Sequence, residues 1–133
     1  MKKRVLIVDN DPAVRRIAAE FIKLYLSKTD VEHEVHTAAD IGDALANLRF
    51  VARQDNGRIP YDLLILDVTL QGESGIDLYK QICDKYPELQ GKVIFITGFA
   101  RGRLEVLEME DVDCLFKPFD FELFKAKLDK HLL

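Results

Sequence analysis

The chain has 133 residues, of which 48% are hydrophobic and 32% charged, enough for one domain that closes a core without disulfide or metal staples. A net charge of −4 without a dominant basic stripe argues against generic nucleic-acid or anionic-membrane binding. Cys83 and Cys114 are too few for a zinc site and read as free thiols in a reducing cytoplasm, while Met1-Lys2-Lys3-Arg4 is followed by too short an apolar run for a secretory leader.

Val5-Leu6-Ile7-Val8 is an apolar run that ends in Asp9-Asn10-Asp11, and Pro12 suits the first turn of a helix. Val14, Ile17, Ala18, Phe21, Leu24 and Tyr25 recur at the helical period of about 3.6 and predict a face packed on a sheet, fading at Ser27-Lys28-Thr29-Asp30. Val35-His36-Thr37 predicts a short, weaker strand. Asp40 can cap a helix with apolar positions Ile41, Ala44, Leu45 and Leu48. Asn56-Gly57, inside the polar stretch from Arg53 to Pro60, marks a turn.

Tyr61-Asp62 then leads into Leu63-Leu64-Ile65-Leu66, an unbroken apolar run closed by Asp67 and followed by Gln71-Gly72-Glu73-Ser74-Gly75. Such a run predicts a strand buried on both faces of a parallel sheet, with Asp67 at its carboxyl end, where open α/β sheets carry their chemistry. Taken alone, Asp67 reads equally as a turn or helix cap. Ser74 or Gly75 opens a helix bearing Ile76, Tyr79, Ile82, Cys83 and Tyr86, stopped by Pro87. Val93-Ile94-Phe95-Ile96-Thr97-Gly98 repeats the strand pattern, a short helix is predicted over 103–110, and Arg101-Gly102-Arg103 reads as a solvated loop. Cys114-Leu115-Phe116-Lys117-Pro118 is the last strand, and Phe121, Phe124, Leu128 and Leu132 mark a closing helix.

Five strands alternating with five helices predict one doubly wound α/β domain over residues 1–133. Right-handed crossovers gather Asp9, Asp67, Thr97 and Lys117 along one edge. Carboxylates brought together there repel by about 4 kcal/mol per pair at ~4 Å and an effective dielectric of ~20, so a cation belongs in the gap. Mg²⁺ suits hard oxygen donors, and Lys117 supplies a fixed positive charge. A carboxylate nucleophile, a metal, a hydroxyl and an ammonium together fit a phosphoryl group. His33, His36 and His131 are too scattered for a metal cluster and read as solvated or partly packed.

In order and spacing, from Val5 to Leu132, these motifs resemble the receiver domain of two-component response regulators. The resemblance implies a flavodoxin-like (βα)5 fold with strand order 2-1-3-4-5. It implies that Asp67 takes a phosphoryl group from a phosphohistidine of a histidine kinase or phosphotransfer protein, with Lys117 and Thr97 contacting the phosphoryl oxygens. Mg²⁺ would be held by Asp9, Asn10, Asp67 and the backbone carbonyl of Thr69. Movement of Thr97 would switch the surface of the last helices for a downstream target protein or effector domain, with no direct nucleic-acid or membrane contact. The chain is then a cytoplasmic signalling phosphoacceptor and not an enzyme, beyond its own phosphorylation and autodephosphorylation.

Three departures from the family pattern stand out. Asn10 occupies the place of the second acid after the first strand, which predicts weaker Mg²⁺ binding unless Asp11 compensates. Cys114 stands where many receivers carry a tyrosine or phenylalanine that turns with the threonine, and Gln71 stands where a proline is common. Thr69 and Phe99 lie two residues after Asp67 and Thr97; the resemblance implies that these positions flank the path of the hydrolytic water, so that bulky Phe99 would favour a longer-lived phosphoryl group. Asn10 and Cys114 also motivate an alternative, a degenerate receiver that docks without phosphorylation. A haloacid-dehalogenase-type phosphotransferase, faintly suggested by Asp67-Val68-Thr69, fits poorly because that nucleophile ends the first strand.

Overall fold

The computed structural model describes residues 2–54, 61–70, 72–98, 109 and 112–132. The expected turn at Asn56-Gly57, Gln71, Phe99, the loop Arg101-Gly102-Arg103 and all but Met109 of the helix expected over 103–110 lie outside the described residues. Five parallel strands form one sheet: β1 (Lys2–Val8), β2 (Glu32–Ala38), β3 (Leu63–Asp67), β4 (Val93–Thr97) and β5 (Asp113–Phe116), in the order β2-β1-β3-β4-β5. The four described α-helices are α1 (Pro12–Ser27), α2 (Ile41–Gln54), α3 (Gly75–Lys85) and α4 (Phe121–Leu132). This is the doubly wound, flavodoxin-like order expected. No described helix is long and apolar enough to cross a membrane.

The apolar runs are strands because both faces of the sheet are covered. Leu6, Val8, Leu64, Leu66 and Phe95 pack with Ala44 and Leu48 of α2 and Ile76, Leu78, Tyr79 and Ile82 of α3. Their neighbours Val5, Ile7, Leu63, Ile65, Ile94 and Ile96 face the other way, onto Ala18 and Ile22 of α1 and Phe124 and Leu128 of α4. Strand side chains alternate in direction, so a strand that is apolar at every position must be covered twice.

Several expectations shift by a residue or a face. In α1 the buried positions are Ala18, Ile22, Tyr25 and Leu26, while Ile17 and Leu24 are 45% and 48% exposed. The packed stripe is therefore rotated from the predicted one, because small Ala18 lets the helix approach the sheet and turns Ile17 outward. Strand β2 runs from Glu32 to Ala38 rather than over three residues, since as an edge strand it carries charged residues that hide the apolar signal. Strand β5 begins at Asp113 and ends before Lys117, which leaves that side chain beyond the ladder.

Caps place the helices that frame the sheet edge. Asp11 accepts a hydrogen bond from the Ala13 N–H at 2.9 Å and starts α1 directly after β1. Ser74 accepts from the Asp77 N–H at 3.3 Å and starts α3. Between Asp67 and Ser74 the chain makes a small antiparallel ladder, Thr69 opposite Ser74 and Leu70 opposite Glu73, closed by Gly72 at φ 88°, a left-handed conformation that favours glycine.

Candidate phosphoryl-transfer site

Four predicted residues meet at the carboxyl edge of the sheet. Val8 pairs with Leu66, so Asp9 and Asp67 leave adjacent strands side by side. Asp67 pairs with Ile96, one residue before Thr97, and the Lys117 N–H donates to the Thr97 carbonyl at 2.9 Å. Asp9, Asp67 and Thr97 are 0%, 4% and 2% exposed, so polar groups are buried at the end of an apolar sheet, where charge is costly unless paired.

Lys117 does the pairing. Its Nζ lies 3.1 Å from Asp67 Oδ2, to which it donates a hydrogen bond, and 3.0 Å from Asp9 Oδ2. Asp67 Oδ1 accepts a hydrogen bond from the Thr69 N–H at 3.1 Å. Burial, and then repulsion from Asp9, push the Asp67 carboxyl above its ordinary value, against the opposing pull of the Thr69 N–H and Lys117. Burial also works against the charge on Lys117, but Asp9 and Asp67 outweigh it and hold the ammonium above the usual lysine range. Two carboxylates and one ammonium leave the ionised trio with a net charge of −1.

That surplus fits a further cation. Among the described residues Asp9 Oδ2 is a buried side-chain oxygen that no hydrogen bond satisfies, with the Lys117 ammonium 3.0 Å away as its counter-charge. No three His, Cys, Asp or Glu side chains converge among the described residues, so a metal here would draw on two carboxylates and complete its shell with amide or carbonyl oxygens and water, as Mg²⁺ does. Asn10 and Thr69 are both exposed beside these acids. Asp11 Oδ1 caps α1, accepting from the Ala13 N–H, and the Asp11 N–H donates to Asp9 Oδ1 at 2.8 Å. Sequence reasoning missed Arg15, whose Nη1 donates to the Asp9 carbonyl at 2.6 Å. An arginine one turn into the following helix was its only signal.

The family model of the response regulator receiver domain matches residues 5–129. This chain belongs to that family. The receiver is 33% identical over 129 residues to the sensory transduction protein LytT of Bacillus subtilis (strain 168), covering 96% of this chain and 47% of that protein. It is 28% identical over 127 residues to the sensory transduction protein LytR of Staphylococcus epidermidis, covering 96% and 45%. The chain thus spans about half the length of the curated relatives it matches. Among solved structures, the receiver domain of NtrX from Brucella abortus aligns with a TM-score of 0.70 at 28% identity, over 96% of this chain and 97% of that one.

Elsewhere in the receiver, Cys114 is half-buried against the core on the α2–α3 side, and Cys83 is a second free thiol whose pKa burial raises. His36 and Tyr61 are joined at 2.7 Å from Nδ1 to the hydroxyl. His131 sits in a cluster at the far end of the sheet. There the carboxylate of Asp113 meets Lys127 at 2.8 Å, His131 at 2.9 Å and Lys130 at 3.3 Å. Burial alone would raise the Asp113 pKa, but hydrogen bonds from Lys127, His131 and Lys130 bring it down to about 2.

Proposed function

We propose that residues 1–133 act as one receiver domain in which Asp67 accepts a phosphoryl group from a phosphohistidine of a sensor histidine kinase or phosphotransfer protein. A carboxylate oxygen of Asp67 attacks phosphorus, the phosphorus–nitrogen bond breaks with its electron pair returning to the donor imidazole, and an acyl phosphate forms. The observation that carries this reading is Lys117, poised 3.1 Å from Asp67 and 3.0 Å from Asp9, because phosphoryl transfer asks chiefly for positioning and for neutralised charge. Held by Asp9, Asn10, Asp67 and the Thr69 carbonyl, Mg²⁺ would neutralise charge on the phosphoryl oxygens. As the phosphoryl group arrives, Lys117 shifts its pairing from carboxylate to phosphoryl oxygen, and the Thr97 hydroxyl donates to another.

The docking place proposed for the donor lies beside Lys117. Val14, Ile17, Gly98, Lys117, Pro118 and Phe119 line an open, largely apolar cleft of about 450 Å³ beside the ammonium. A helix bearing the phosphohistidine and apolar neighbours suits it. On the output side, Thr97 is paired with Phe116 of β5 and its carbonyl accepts from the Lys117 N–H just past that strand, so its movement is passed to β5 and α4, whose surface a downstream protein or effector domain would read. The cytoplasm, which keeps two free cysteines reduced, is the compartment this implies. Incubation with Mg²⁺ and acetyl phosphate followed by intact-mass measurement tests the proposal: one added phosphate is expected, lost in Asp67→Asn. No mass change in the wild-type chain overturns it.

A further inference from the structure

We infer that Gly75 is a positioning residue for the acceptor: the absence of a side chain there lets the first turn of α3 close on the Asp67–Val68 backbone and hold the carboxylate in line. The inference rests on the reading of Asp67 as phosphoryl acceptor. Gly75 is buried, although it is the first residue of a helix whose N-cap, Ser74, lies near the surface. A Cβ at position 75 would overlap the carbonyl oxygen of Asp67 outright, and would stand 2.8 Å from the Asp67 carbonyl carbon and 3.3 Å from Val68 Cα. All of these atoms are backbone, so no flexible side chain can swing away to make room.

The contact is also hydrogen-bonded. The Gly75 N–H donates to the Val68 carbonyl at 2.8 Å, while the Val68 N–H donates to the Ile96 carbonyl at 2.9 Å. Val68, the residue that follows the attacking carboxylate, is therefore gripped from both sides, by α3 and by β4. Thr69, next along, sends its N–H to Asp67 Oδ1 at 3.1 Å, so the same grip sets the orientation of the carboxylate. A methyl group at position 75 must push α3 away or turn the Asp67 peptide, and either motion reaches the nucleophile through no more than two covalent residues. Displacement of a reacting group by ~1 Å can cost about a hundredfold in rate.

The test compares wild type, Gly75→Ala and Gly42→Ala. Gly42, in α2, is a control for adding a methyl to a helical glycine, since a Cβ there would meet only Asp40 Oδ1 at 3.6 Å. Phosphorylation by acetyl phosphate is timed well below the thermal midpoint of each protein, and the Thr69 amide resonance is followed by NMR without metal or phosphate. Gly75→Ala is expected to phosphorylate at least tenfold more slowly and to shift the Thr69 amide strongly, with Gly42→Ala matching wild type in both. A lower thermal midpoint with unchanged rate and unchanged Thr69 amide would mean that Gly75 serves stability alone, and would overturn the inference. Should Gly75→Ala not fold, Ser74→Ala keeps the glycine but removes the cap that seats the turn. It is expected to slow phosphorylation several-fold and move the Thr69 amide the same way, and wild-type behaviour in both would overturn the inference. If the wild-type chain takes up no phosphoryl group, the acceptor reading has failed, and the Thr69 amide still judges whether Gly75 orients the carboxylate.

Discussion

Replacing Lys117 with methionine removes the ammonium but keeps most of an aliphatic stem that runs past Gly98, so the perturbation is chiefly electrostatic. At 3.0 and 3.1 Å, Coulomb's law with an effective dielectric of ~20 gives about 5 kcal/mol for each of the pairs with Asp9 and Asp67. Desolvation cancels much of this, and removing one partner from a buried ion pair costs about 3–5 kcal/mol. The lysine side chain is 26% exposed, which places the expected loss at the lower end, about 3 kcal/mol, or roughly 10 °C in Tm for a domain of this size. The assay is urea unfolding of both proteins with and without Mg²⁺. Without metal the variant should lose about 3 kcal/mol, and saturating Mg²⁺ should narrow that gap by at least about 1 kcal/mol, because the ion then meets two carboxylates that no ammonium holds. A loss below about 1 kcal/mol, the range of an exposed pair, or equal stabilisation of both proteins by Mg²⁺, would refute the assignment of Lys117 as the cation that keeps the two acids together.

Two other substitutions probe the charges around the sheet. Asn10→Asp should tighten Mg²⁺ binding about tenfold, equivalent to about 1.4 kcal/mol, by restoring one negative charge beside Asp9, and an unchanged titration would remove that reasoning. At Asp113 the folded pKa of about 2 lies below the ordinary 3.8, so its carboxylate adds stability that is present above about pH 4 and lost as pH falls toward 2, about 2 kcal/mol in all. The stability gap between wild type and Asp113→Asn should therefore shrink in urea unfolding as pH is lowered through that window, and a gap independent of pH would count against it.

Much of the fold was legible in the sequence, and the reason is local. Leu63-Leu64-Ile65-Leu66 and Val93-Ile94-Phe95-Ile96 are apolar at every position because helices cover both faces, and the acid or hydroxyl that ends each run marks the sheet edge. Asp9, Asp67 and Lys117 could be brought together from topology alone. What stayed hidden depended on packing between distant segments. Glu32, His33 and Glu34 look like loop residues, yet they pair with β1 along its exposed edge. The rotation of α1 depended on how closely Ala18 could approach β1 and β3, which periodicity does not encode. Asp113 finds Lys127, Lys130 and His131 across 14 to 18 residues, and no spacing within one element announces such a cluster. Asp11 reads from the sequence only as a possible metal ligand, and its capping bond to Ala13 is not foreseen there.

The sheet that is apolar on both sides has one further consequence. Where one face is wet and the other dry, sliding a strand by one residue exposes its apolar set, and hydrophobicity alone sets the alignment. Strands β1, β3 and β4 lack that safeguard, because a slide would exchange one covered face for the other with little change in buried area. What a slide cannot preserve is the polar end of each strand: displaced by one residue, Asp9 and Asp67 would leave the reach of Lys117 and bury unpaired charge. The acids and the lysine thus also act as the ruler of the fold, fixing how far each central strand is drawn through the sheet.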